Sequence, residues 1–468
     1  MMMKNDTFKE SSSFRDNFGS VYHSNGNILR TVNKVAEKNF HTLNEKNIFK
    51  ESIDKGFLID FEILDKDQHP DSLKDYNIIL KTQKISFISY PYEWTFNQLK
   101  DAAIHHLNFQ IFLLKLNCIL RDASAFNIQF YKGKPVFIDI MSLEEYKNGE
   151  YWSGYKQFCE NFLNPLLLGH LKNIKHNDLF RGSIEGLDTV LLNKLLSFKD
   201  KISFNIFTHV VLQSKFLQQD INNPKATREK KNKLKKFKKT SYLYMLNQLK
   251  TWISKLELKE NKSIWGKYEK CNTYTEKSLS EKEKIVSQFV KKIQPNKLID
   301  LGCNNGQFCK IALENGAKEV VGVDFDINAI SNTYRMSKKD NFNLLPLFID
   351  LSNPSPNQGW RQLERQGFKE RFKCDAVIAL AIEHHLIIGK NVPIDEFIDW
   401  IIDFGKFGLL EFIPKEDETI KDMLSTKEDI YFDYSQNNFE KELSKKANII
   451  NTYTLADSKR ILYEYKTL

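Results

Sequence analysis

A short stretch near residue 300 combines residue types that suit the close approach of a ligand to the backbone. The sequence LIDLGCNNGQF, residues 298–308, reads as a buried strand that passes Asp300 and breaks into a glycine-bearing turn. Gly302 and Gly306 remove side chains where the backbone must pass close to a ligand, and the helix after them would present free N–H groups. Asn304 takes the middle position, and asparagine is one of the few non-glycine residues that tolerate positive φ. The stretch therefore predicts a ligand-binding turn.

The spacing of these residues separates two kinds of cofactor. A dinucleotide site of the pattern G-x-G-x-x-G needs glycines where this chain has Gly302, Asn304 and Gln307, so two of the three positions fail. The pattern D-x-G-x-G-x-G fails only at Asn304. Asp324 ends the next predicted strand, 22 residues beyond Gly302, and a carboxylate there can accept hydrogen bonds from both hydroxyls of a ribose.

The elements that must position this turn alternate between strand and helix signals. The predicted strands are KLIDLG, EVVGVDF, LLPLFIDL, CDAVIALA, FGLLEFI, IINTYTL and RILYEYK, with helical stretches between the early ones. This alternation is typical of a doubly wound parallel sheet, which binds ligands at the carboxyl ends of its strands. Only ADSK separates the last two strands, too short for a crossover helix, so they are predicted to form an antiparallel hairpin.

The turn, the distant acid and the terminal hairpin together resemble a class I S-adenosylmethionine-dependent methyltransferase, from Trp265 to the end of the sequence. The resemblance implies an α/β fold with a Rossmann-like, seven-stranded methyltransferase sheet whose last strand is antiparallel. The donor-binding residues that it implies are Asp300, Gly302, Asn304 and Gly306 for the methionine part, Asp324 for the ribose, Asp350 and Leu351 near the adenine, and Tyr274 as a candidate cover.

A cluster of ionisable residues follows the fourth predicted strand. The sequence AIEHHL places Glu383, His384 and His385 at the mouth where an acceptor would enter. Methyl transfer from a sulfonium needs an aligned, desolvated nucleophile, and a base must remove the proton when the acceptor is a hydroxyl. A histidine with a pKa near about 6.5 suits that task, so these residues are the catalytic candidates, with His385 slightly favoured. The alternative is that they only begin a helix, or that His384 orients a neighbour. Glu411, at the end of the fifth strand, is expected to face the same rim.

The first half of the chain carries a second constellation of polar residues. The sequence LRDASAFNIQFYKGKPVFIDI places Asp122 five residues before Asn127, and Asp139 twelve residues after that. It resembles phosphotransferases of protein-kinase-like fold, in which one carboxylate orients the acceptor hydroxyl while an amide and a second carboxylate hold Mg²⁺ on the phosphates. Upstream, Arg30 stands where a lysine would pair with phosphates. The resemblance implies an α+β kinase-like domain that binds ATP and Mg²⁺, with Asn127 and Asp139 as the metal ligands.

Three interpretations of this half stay open. It could be an active kinase for a small molecule or sugar, a pseudokinase that binds nucleotide, or a scaffold that presents substrate to the methyltransferase. The retained Asp122, Asn127 and Asp139 favour binding of a metal nucleotide. The first two glycines of the nucleotide-covering loop are replaced by Phe14 and Asp16, which argues against rapid catalysis.

The positive charge of the chain is concentrated in one run. The formal net charge is +9, and KATREKKNKLKKFKK, residues 225–239, holds nine lysines or arginines and one glutamate. Such a run is usually a solvated helix face or linker, and no row of aromatic residues accompanies it for base stacking. Nucleic-acid binding is therefore not favoured, although a contact with RNA or an anionic surface by this run stays open.

The cysteines and the hydropathy pattern place the chain in a cellular context. The six cysteines form no CxxC pair, the N-terminal sequence lacks the apolar run of a secretion signal, and no uninterrupted apolar segment reaches the roughly 18 residues of a membrane helix. We expect a reduced, cytoplasmic protein with no membrane insertion.

Together these features predict a kinase-like or pseudokinase domain over residues 1–222, a basic linker or helix over 223–262 and a methyltransferase domain over 263–468. The order resembles uncharacterised bacterial methyltransferases related to rhizobial nodulation proteins, which share the phrases SYPYEW, DASAFNIQF, NPSPNQGW and HHL. The predicted function is methyl transfer from S-adenosylmethionine to an oxygen or nitrogen of a small molecule or saccharide. The alternatives are a bifunctional or kinase-centred enzyme that uses ATP and Mg²⁺, an RNA methyltransferase, and a non-catalytic binding module.

Overall fold

The chain folds into two units, each with its own sheet. The computed structural model describes residues 7–222, 237–258, 275–425 and 428–468. The first unit contains the described residues of Met1–Tyr131 and Pro135–Lys259 together with Gln358–Arg365. The second contains Lys132–Lys134 and the described residues of Glu260–Asn357 and Gln366–Leu468. The short segment Gln358–Arg365 therefore belongs to the first unit, although its sequence neighbours belong to the second.

A five-stranded antiparallel sheet opens the first unit. Its strands, in the spatial order β1-β2-β3-β5-β4, are β1 Thr7–Lys9, β2 Gly19–Ser24, β3 Asn27–Val32, β4 Phe61–Ile63 and β5 Ile78–Thr82. Helices α1 Lys34–Glu45 and α2 Ile48–Asp54 connect β3 to β4. Leu29 of β3 and Ile79 of β5 pack with Leu73 in an apolar cluster that holds the sheet together.

The rest of the first unit is mainly helical and is organised around α3, Phe96–Lys115. Thr95 begins this helix, since its hydroxyl accepts the Gln98 backbone N–H at 3.1 Å. Two short two-stranded sheets follow, β6 Cys118–Leu120 with β9 Leu143–Glu145, and β7 Ile128–Tyr131 with β8 Lys134–Phe137. The remaining helices are α4 Tyr155–Phe158, α5 Asn164–Lys172, α6 His176–Gly182, α7 Thr189–Leu195, α8 Phe198–Lys201, α9 Phe204–Ile206, α10 Gln213–Asn222 and α11 Lys239–Ser254, with π-helical turns at Cys159–Leu163 and Phe207–Leu212.

Helix α11 comes from the region that the sequence predicts as a linker or helix. It packs on α3, where the Gln110 side-chain amide donates a hydrogen bond to the Tyr242 hydroxyl at 2.8 Å. Tyr242, Leu246, Leu249 and Ile253 of α11 are buried, which is the i, i+4, i+7 spacing of an amphipathic helix. The described C-terminal part of that region is thus an integral helix of the first unit.

The second unit is built on a seven-stranded sheet of the order β12-β11-β10-β13-β14-β16-β15. All neighbouring pairs are parallel except those made by β16, which runs antiparallel to both β14 and β15. This confirms the predicted Rossmann-like sheet with an antiparallel last strand. The strands are β10 Lys297–Leu301, β11 Glu319–Asp324, β12 Leu344–Phe348, β13 Cys374–Ala379, β14 Gly405–Phe412, β15 Ala447–Thr454 and β16 Ile461–Thr467.

Helices connect these strands and cover the sheet. They are α12 Glu276–Ile293, α13 Gln307–Glu314, α14 Ile327–Asp340, α15 Phe368–Arg371, α16 Glu383–Lys390, α17 Ile394–Ile402, α18 Glu418–Leu424 and α19 Gln436–Lys446. Apolar residues of α12, such as Val286 and Val290, pack on Leu298, Val320 and Leu409 of the sheet. Strands β10 and β11 are almost continuously apolar and buried, as expected for parallel strands covered on both faces. Within the described ranges, no helix combines the length and the apolar character needed to cross a bilayer.

Candidate functional site

The turn after β10 adopts the left-handed backbone that its sequence predicts. Gly302, Asn304 and Gly306 have φ angles of 83°, 47° and 78°. Asn304 therefore takes the conformation for which asparagine is tolerated in place of glycine. At Gly306 a Cβ atom would lie 2.6 Å from the Thr333 methyl group, so this glycine is needed for close packing as well as for φ. The turn leads directly into α13, whose first N–H groups point toward its N-terminal side.

Asp324 ends β11 and holds this turn in place. Its Oδ2 accepts the backbone N–H of Asn304 at 2.9 Å, and its Oδ1 accepts the backbone N–H of Asp326 at 2.9 Å. Burial raises the pKa of Asp324, while these backbone donors act in the opposite direction. Each carboxylate oxygen can accept a second hydrogen bond, so the geometry suits a ligand that presents two adjacent hydroxyls.

Two adjoining cavities open at the carboxyl ends of the strands. Cavity A, of about 280 Å³, is lined by Asp324, Ile349, Asp350, Leu351, Ser352 and His385 among others. Cavity B, of about 290 Å³, is lined by Lys282, Asp300, Asn304, Asp324, His384 and Arg460 among others. Gly302, Asp324 and His385 border both cavities. The two cavities thus bring together the predicted donor residues that the structure describes, except Gly306, with Asp324 at the junction.

Asp350 and Asp300 lie in different electrostatic surroundings. The Oδ1 of Asp350 accepts hydrogen bonds from the backbone N–H and the hydroxyl of Ser352, at 2.9 and 2.6 Å. Asp300 is buried, and the Cys309 thiol donates to its Oδ2 at 3.2 Å. Burial raises the pKa of Asp300 to about 7; the charge of Asp324 adds to this shift, while the Cys309 thiol and the charge of Lys282 oppose it. Asp300 therefore changes charge near neutral pH.

The acid and the two histidines predicted as catalytic lie in the first turn of α16, but they occupy different environments. Glu383 and His384 are buried, and the rings of His384 and His385 are tilted by 39° with centroids 4.0 Å apart. The Oε1 of Glu383 accepts the Ile413 backbone N–H at 2.8 Å. Its Oε2 lies 3.5 Å from His384 Nδ1, and neither atom has a hydrogen-bond partner in the described part of the chain. Glu383 therefore faces His384 rather than a cavity.

His385 departs from the sequence-based expectation of an ordinary histidine pKa. Burial lowers its pKa to about 3, and the neighbouring His384 adds to the shift. His385 also borders both cavities, whereas His384 borders cavity B. A base with so low a pKa would take up a proton poorly at neutral pH.

A buried ion pair beside cavity B was not predicted. Lys282 of α12 donates to Oε2 of Glu411 at 2.6 Å, and both side chains are buried. Burial lowers the pKa of Lys282, and the Glu411 carboxylate opposes that shift. Glu411 was expected to face the rim and contact a ligand, but it contacts Lys282, which itself lines the cavity. One signal was available in the sequence: Lys282 lies on the apolar stripe of α12 with Ser278, Ile285, Val286 and Phe289.

A second cation at cavity B comes from the connection between β15 and β16. Arg460 is buried and forms a bidentate pair with Asp417, at 2.7 Å from Nε and 3.0 Å from Nη2. Its Nη2 also donates to the Thr419 hydroxyl at 3.1 Å. The surrounding sequence LADSKR gives no pattern that would distinguish this arginine from a surface residue.

The polar constellation of the first unit also converges. The Asn127 side-chain amide lies 3.1 Å from Oδ2 of Asp122 and 3.4 Å from Oδ2 of Asp139, and Arg30 Nη1 lies 3.8 Å from Oδ1 of Asp139. These four residues line a cavity of about 510 Å³, which we call cavity C. Burial raises the pKa of Asp139 to about 6, and Arg30 opposes the shift. Among the described residues, no group of three histidine, cysteine or acidic side chains is arranged to hold a metal ion.

Two sequence predictions concern residues that are not fully described. Tyr274, the candidate cover of the donor, lies outside the described residues. The basic run 225–239 is described only from residue 237 onward, so its role as linker or RNA contact stays a prediction.

Comparison with known proteins gives one extensive relative. No protein-family model matches the sequence. The chain is 41% identical over 455 residues to the nodulation protein NoeA of Rhizobium meliloti (strain 1021), covering 97% of this chain and 95% of that protein.

Similar solved structures cover less of the chain. They include the N-methyltransferase NodS from Bradyrhizobium japonicum WM9, at 10% identity over 41% of this chain and 96% of that chain, with a TM-score of 0.30. A SAM-dependent methyltransferase from Aquifex aeolicus is 14% identical over 43% of this chain and 98% of that chain, with a TM-score of 0.32. The bifunctional kinase-methyltransferase WbdD is 20% identical over 47% of this chain and 46% of that chain, with a TM-score of 0.30. At such scores these likenesses carry no argument about substrate or mechanism.

The family follows from the extent of the first match. Identity of 41% across 97% of the chain is far beyond a shared fold. The strand order of the second unit, with its antiparallel β16 and the acid at the end of β11, has the class I methyltransferase arrangement that the sequence predicts. The chain belongs to the family of the nodulation protein NoeA.

Proposed function

We propose that the second unit transfers the methyl group of S-adenosylmethionine to an oxygen or nitrogen atom of a small molecule or saccharide. The observation that carries the proposal is the position of Asp324, which is hydrogen-bonded to the glycine turn and borders both cavities. When bound, the donor supplies an electrophilic methyl group on a sulfonium, and the thioether that leaves needs no metal. The residues present fit this donor, because a carboxylate that can accept two more hydrogen bonds faces the space where a ribose would lie.

The two cavities suit the two ends of the donor. Asp324 would accept the ribose hydroxyls, and Asp350 with Leu351 would border the adenine in cavity A. In cavity B, Asp300 would face the ammonium of the methionine part, and the Lys282 ammonium would face its carboxylate. In this proposal a carboxylate and an ammonium of the protein face the ammonium and the carboxylate of the methionine part. This is the charge complementarity that a zwitterion needs.

His384 is the residue that we assign as general base when the acceptor is a hydroxyl. Glu383 would accept the Nδ1 proton of His384, which fixes the tautomer and leaves Nε2 as the basic atom. The 3.5 Å separation of Glu383 Oε2 and His384 Nδ1, with no other partner for either atom within the described ranges, supports this pairing. A carboxylate that holds an imidazole in this way also stabilises the imidazolium that forms when the acceptor loses its proton. Glu383 is therefore a positioning residue.

Calorimetry tests the donor assignment. S-adenosylmethionine is titrated into the wild type, Asp324→Ala and Asp340→Ala, the last being a control that removes an exposed acid from the end of α14. We expect binding by the wild type and the control and none by Asp324→Ala. A wild type that binds no donor, or binds a nicotinamide dinucleotide instead, would overturn the proposal. A screen of acceptors for the mass gain of one CH₂ group should follow.

We infer a second, separate function for the first unit, the binding of ATP with Mg²⁺ in cavity C. The convergence of Arg30, Asp122, Asn127 and Asp139 on one cavity supports it. The Oδ1 of Asn127 and the carboxylate of Asp139 are the groups that would hold the metal, and Arg30 would contact phosphate oxygens. Because arginine replaces the usual lysine and the covering loop lacks its first two glycines, we expect binding without rapid phosphoryl transfer.

Titration of ATP with Mg²⁺ tests this assignment. The wild type is compared with Asp139→Ala and with Asp67→Ala, a control at an exposed acid of the same unit. Binding that is lost only in Asp139→Ala supports the inference. If the wild type does not bind, the kinase-like function is excluded while the methyltransferase assignment is unaffected.

A further inference from the structure

An arginine from a distant part of the sequence lines cavity C, and neither proposed function uses it. Arg365 and its neighbour Glu364 border this cavity together with Asp122 and Asp139. Both residues belong to the short segment Gln358–Arg365, which is part of the first unit. The segment therefore gives cavity C a cation that the kinase-like sequence pattern does not contain.

The segment is closed on itself and fixed to the first unit. Gln358 and Arg365 exchange backbone hydrogen bonds, at 2.9 Å from the Gln358 N–H and 3.2 Å from the Arg365 N–H. The Gln358 side-chain amide donates to the Arg181 carbonyl at 2.7 Å. The buried Glu364 carboxylate accepts a hydrogen bond from Arg15. Contacts within the first unit thus fix the backbone that carries Arg365.

The Arg365 side chain is held in place but keeps a donor for a ligand. Its guanidinium carbon lies 4.1 Å from the centroid of the Phe126 ring, a cation–π contact with a buried side chain. Nη1 donates to the Glu364 carbonyl at 2.7 Å. Nε is buried and, among the described residues, has no hydrogen-bond partner. A buried donor without a partner is costly, and a ligand oxygen would satisfy it.

Arg365 differs from the other arginines of cavity C in its charge pairing. Each of those three lies within 4.0 Å of a carboxylate, in the pairs Arg15–Glu364, Arg30–Asp139 and Arg121–Glu144. In the part of the chain that the structure describes, Arg365 has no such carboxylate partner. Its charge is therefore the one among these arginines that a ligand would not have to share with an acid.

We infer that Arg365 binds a phosphate group in cavity C, and the inference rests on the proposed binding of Mg²⁺ there. The charged residues that line the cavity are balanced, at four arginines and four acids: Arg15, Arg30, Arg121, Arg365, Asp16, Asp122, Asp139 and Glu364. A bound Mg²⁺ would give the cavity a net positive charge, which favours a phosphate oxyanion. The planar N–H groups of arginine match the geometry of phosphate oxygens. The phosphate is either the terminal one of the nucleotide or one carried by the acceptor.

Calorimetric titrations of the full chain in the presence of Mg²⁺ test the inference. ATP, adenosine and inorganic phosphate are titrated separately into the wild type and Arg365→Gln. If Arg365 binds the terminal phosphate of the nucleotide, the variant should bind ATP about 10- to 100-fold more weakly and adenosine as the wild type does. If Arg365 binds a phosphate of the acceptor, the variant should keep its affinity for ATP and lose affinity for inorganic phosphate by a similar factor.

Arg361→Gln is the matched control, because Arg361 is an exposed arginine of the same segment outside the lining of cavity C. It should bind all three ligands like the wild type. Arg365→Lys keeps the charge without the planar fork, so it should retain part of the affinity that Arg365→Gln loses. All variants should keep the wild-type circular dichroism spectrum.

The outcomes separate this inference from the proposed nucleotide site. If the wild type binds ATP, and Arg365→Gln binds ATP and inorganic phosphate as tightly, the inference is overturned and the nucleotide site stands. If adenosine affinity falls as much as ATP affinity, Arg365 only shapes the cavity, and the inference is also overturned. A wild type that binds inorganic phosphate through Arg365 but not ATP removes the nucleotide site alone. A wild type that binds neither ligand overturns both.

Discussion

Replacing Lys282 by methionine would remove the ammonium that the buried Glu411 carboxylate contacts. The two side chains meet at 2.6 Å and are almost completely excluded from solvent, at 2% and 1% exposure for the residues. Methionine fills nearly the same volume as the lysine side chain, so the change removes charge rather than packing. The cost is the desolvation of Glu411, which the ammonium of Lys282 offsets in the wild type.

The expected loss of stability follows from this burial. Removing one partner of a buried ion pair costs about 3–5 kcal/mol. For a domain of this size, 1 kcal/mol shifts the melting temperature by roughly 2–4 °C, so Lys282→Met should lower the melting temperature of the second unit by about 6–20 °C. The double variant Lys282→Met/Glu411→Leu removes both charges and should recover most of that loss, because a buried pair exchanged for apolar residues is often neutral.

Thermal unfolding of the wild type, the single and double variants and Lys284→Met gives the measurement. Lys284 is exposed on the same helix, so its variant should melt within about 1–2 °C of the wild type. If Lys282 also faces the methionine carboxylate, the double variant should be stable yet bind S-adenosylmethionine at least about 10-fold more weakly. The reasoning fails if Lys282→Met melts like the wild type, or if the double variant is as unstable as the single one.

Three further predictions concern the same site. His384→Gln should lower kcat by about 10²- to 10⁴-fold on a hydroxyl acceptor and leave the Kd for the donor unchanged. His385→Gln should mainly weaken donor binding. Kinetics and calorimetry on both variants would reject the assignment if these two effects were interchanged. Because the pKa of Asp300 is raised to about 7, affinity for the cationic donor should rise as the pH increases through 7 and then level off, and Asp300→Asn should show no such rise in calorimetric titrations. Gly306→Ala should destabilise the second unit by about 1–3 kcal/mol, since its Cβ would lie 2.6 Å from a methyl group at a φ of 78°, and a denaturant titration that shows no change would contradict this packing.

The sheet of the second unit was predictable because each strand has a local sequence pattern that indicates it. The runs around Leu298, Val320 and Leu344 are apolar and bounded by turn residues, which is sufficient to predict buried parallel strands. The four-residue ADSK connection excludes a crossover, and the structure has the antiparallel pair there. The positive φ of Asn304 was likewise predictable, because few residues other than glycine accept the φ that this turn requires.

The parts that were not predicted depend on contacts between distant residues. Lys282 and Glu411 are 129 positions apart, and no local sequence pattern indicates that their side chains are hydrogen-bonded. The low pKa of His385 depends on its burial, which the sequence HHL does not indicate. The grouping of Gln358–Arg365 with the first unit is also a tertiary property, since its sequence neighbours belong elsewhere.

The place of β16 within the sheet has a consequence for how the chain is made. β15 leaves the ribosome before β16, yet within the described sheet β15 is joined to β14 only through β16. A nascent chain that stalls before Ile461 would hold β14 with an open edge and β15 with no neighbour to pair with. Unpaired edges of this kind are templates for aggregation. Translation must therefore pass Thr467 before the strand that covers the edge of β14 is available.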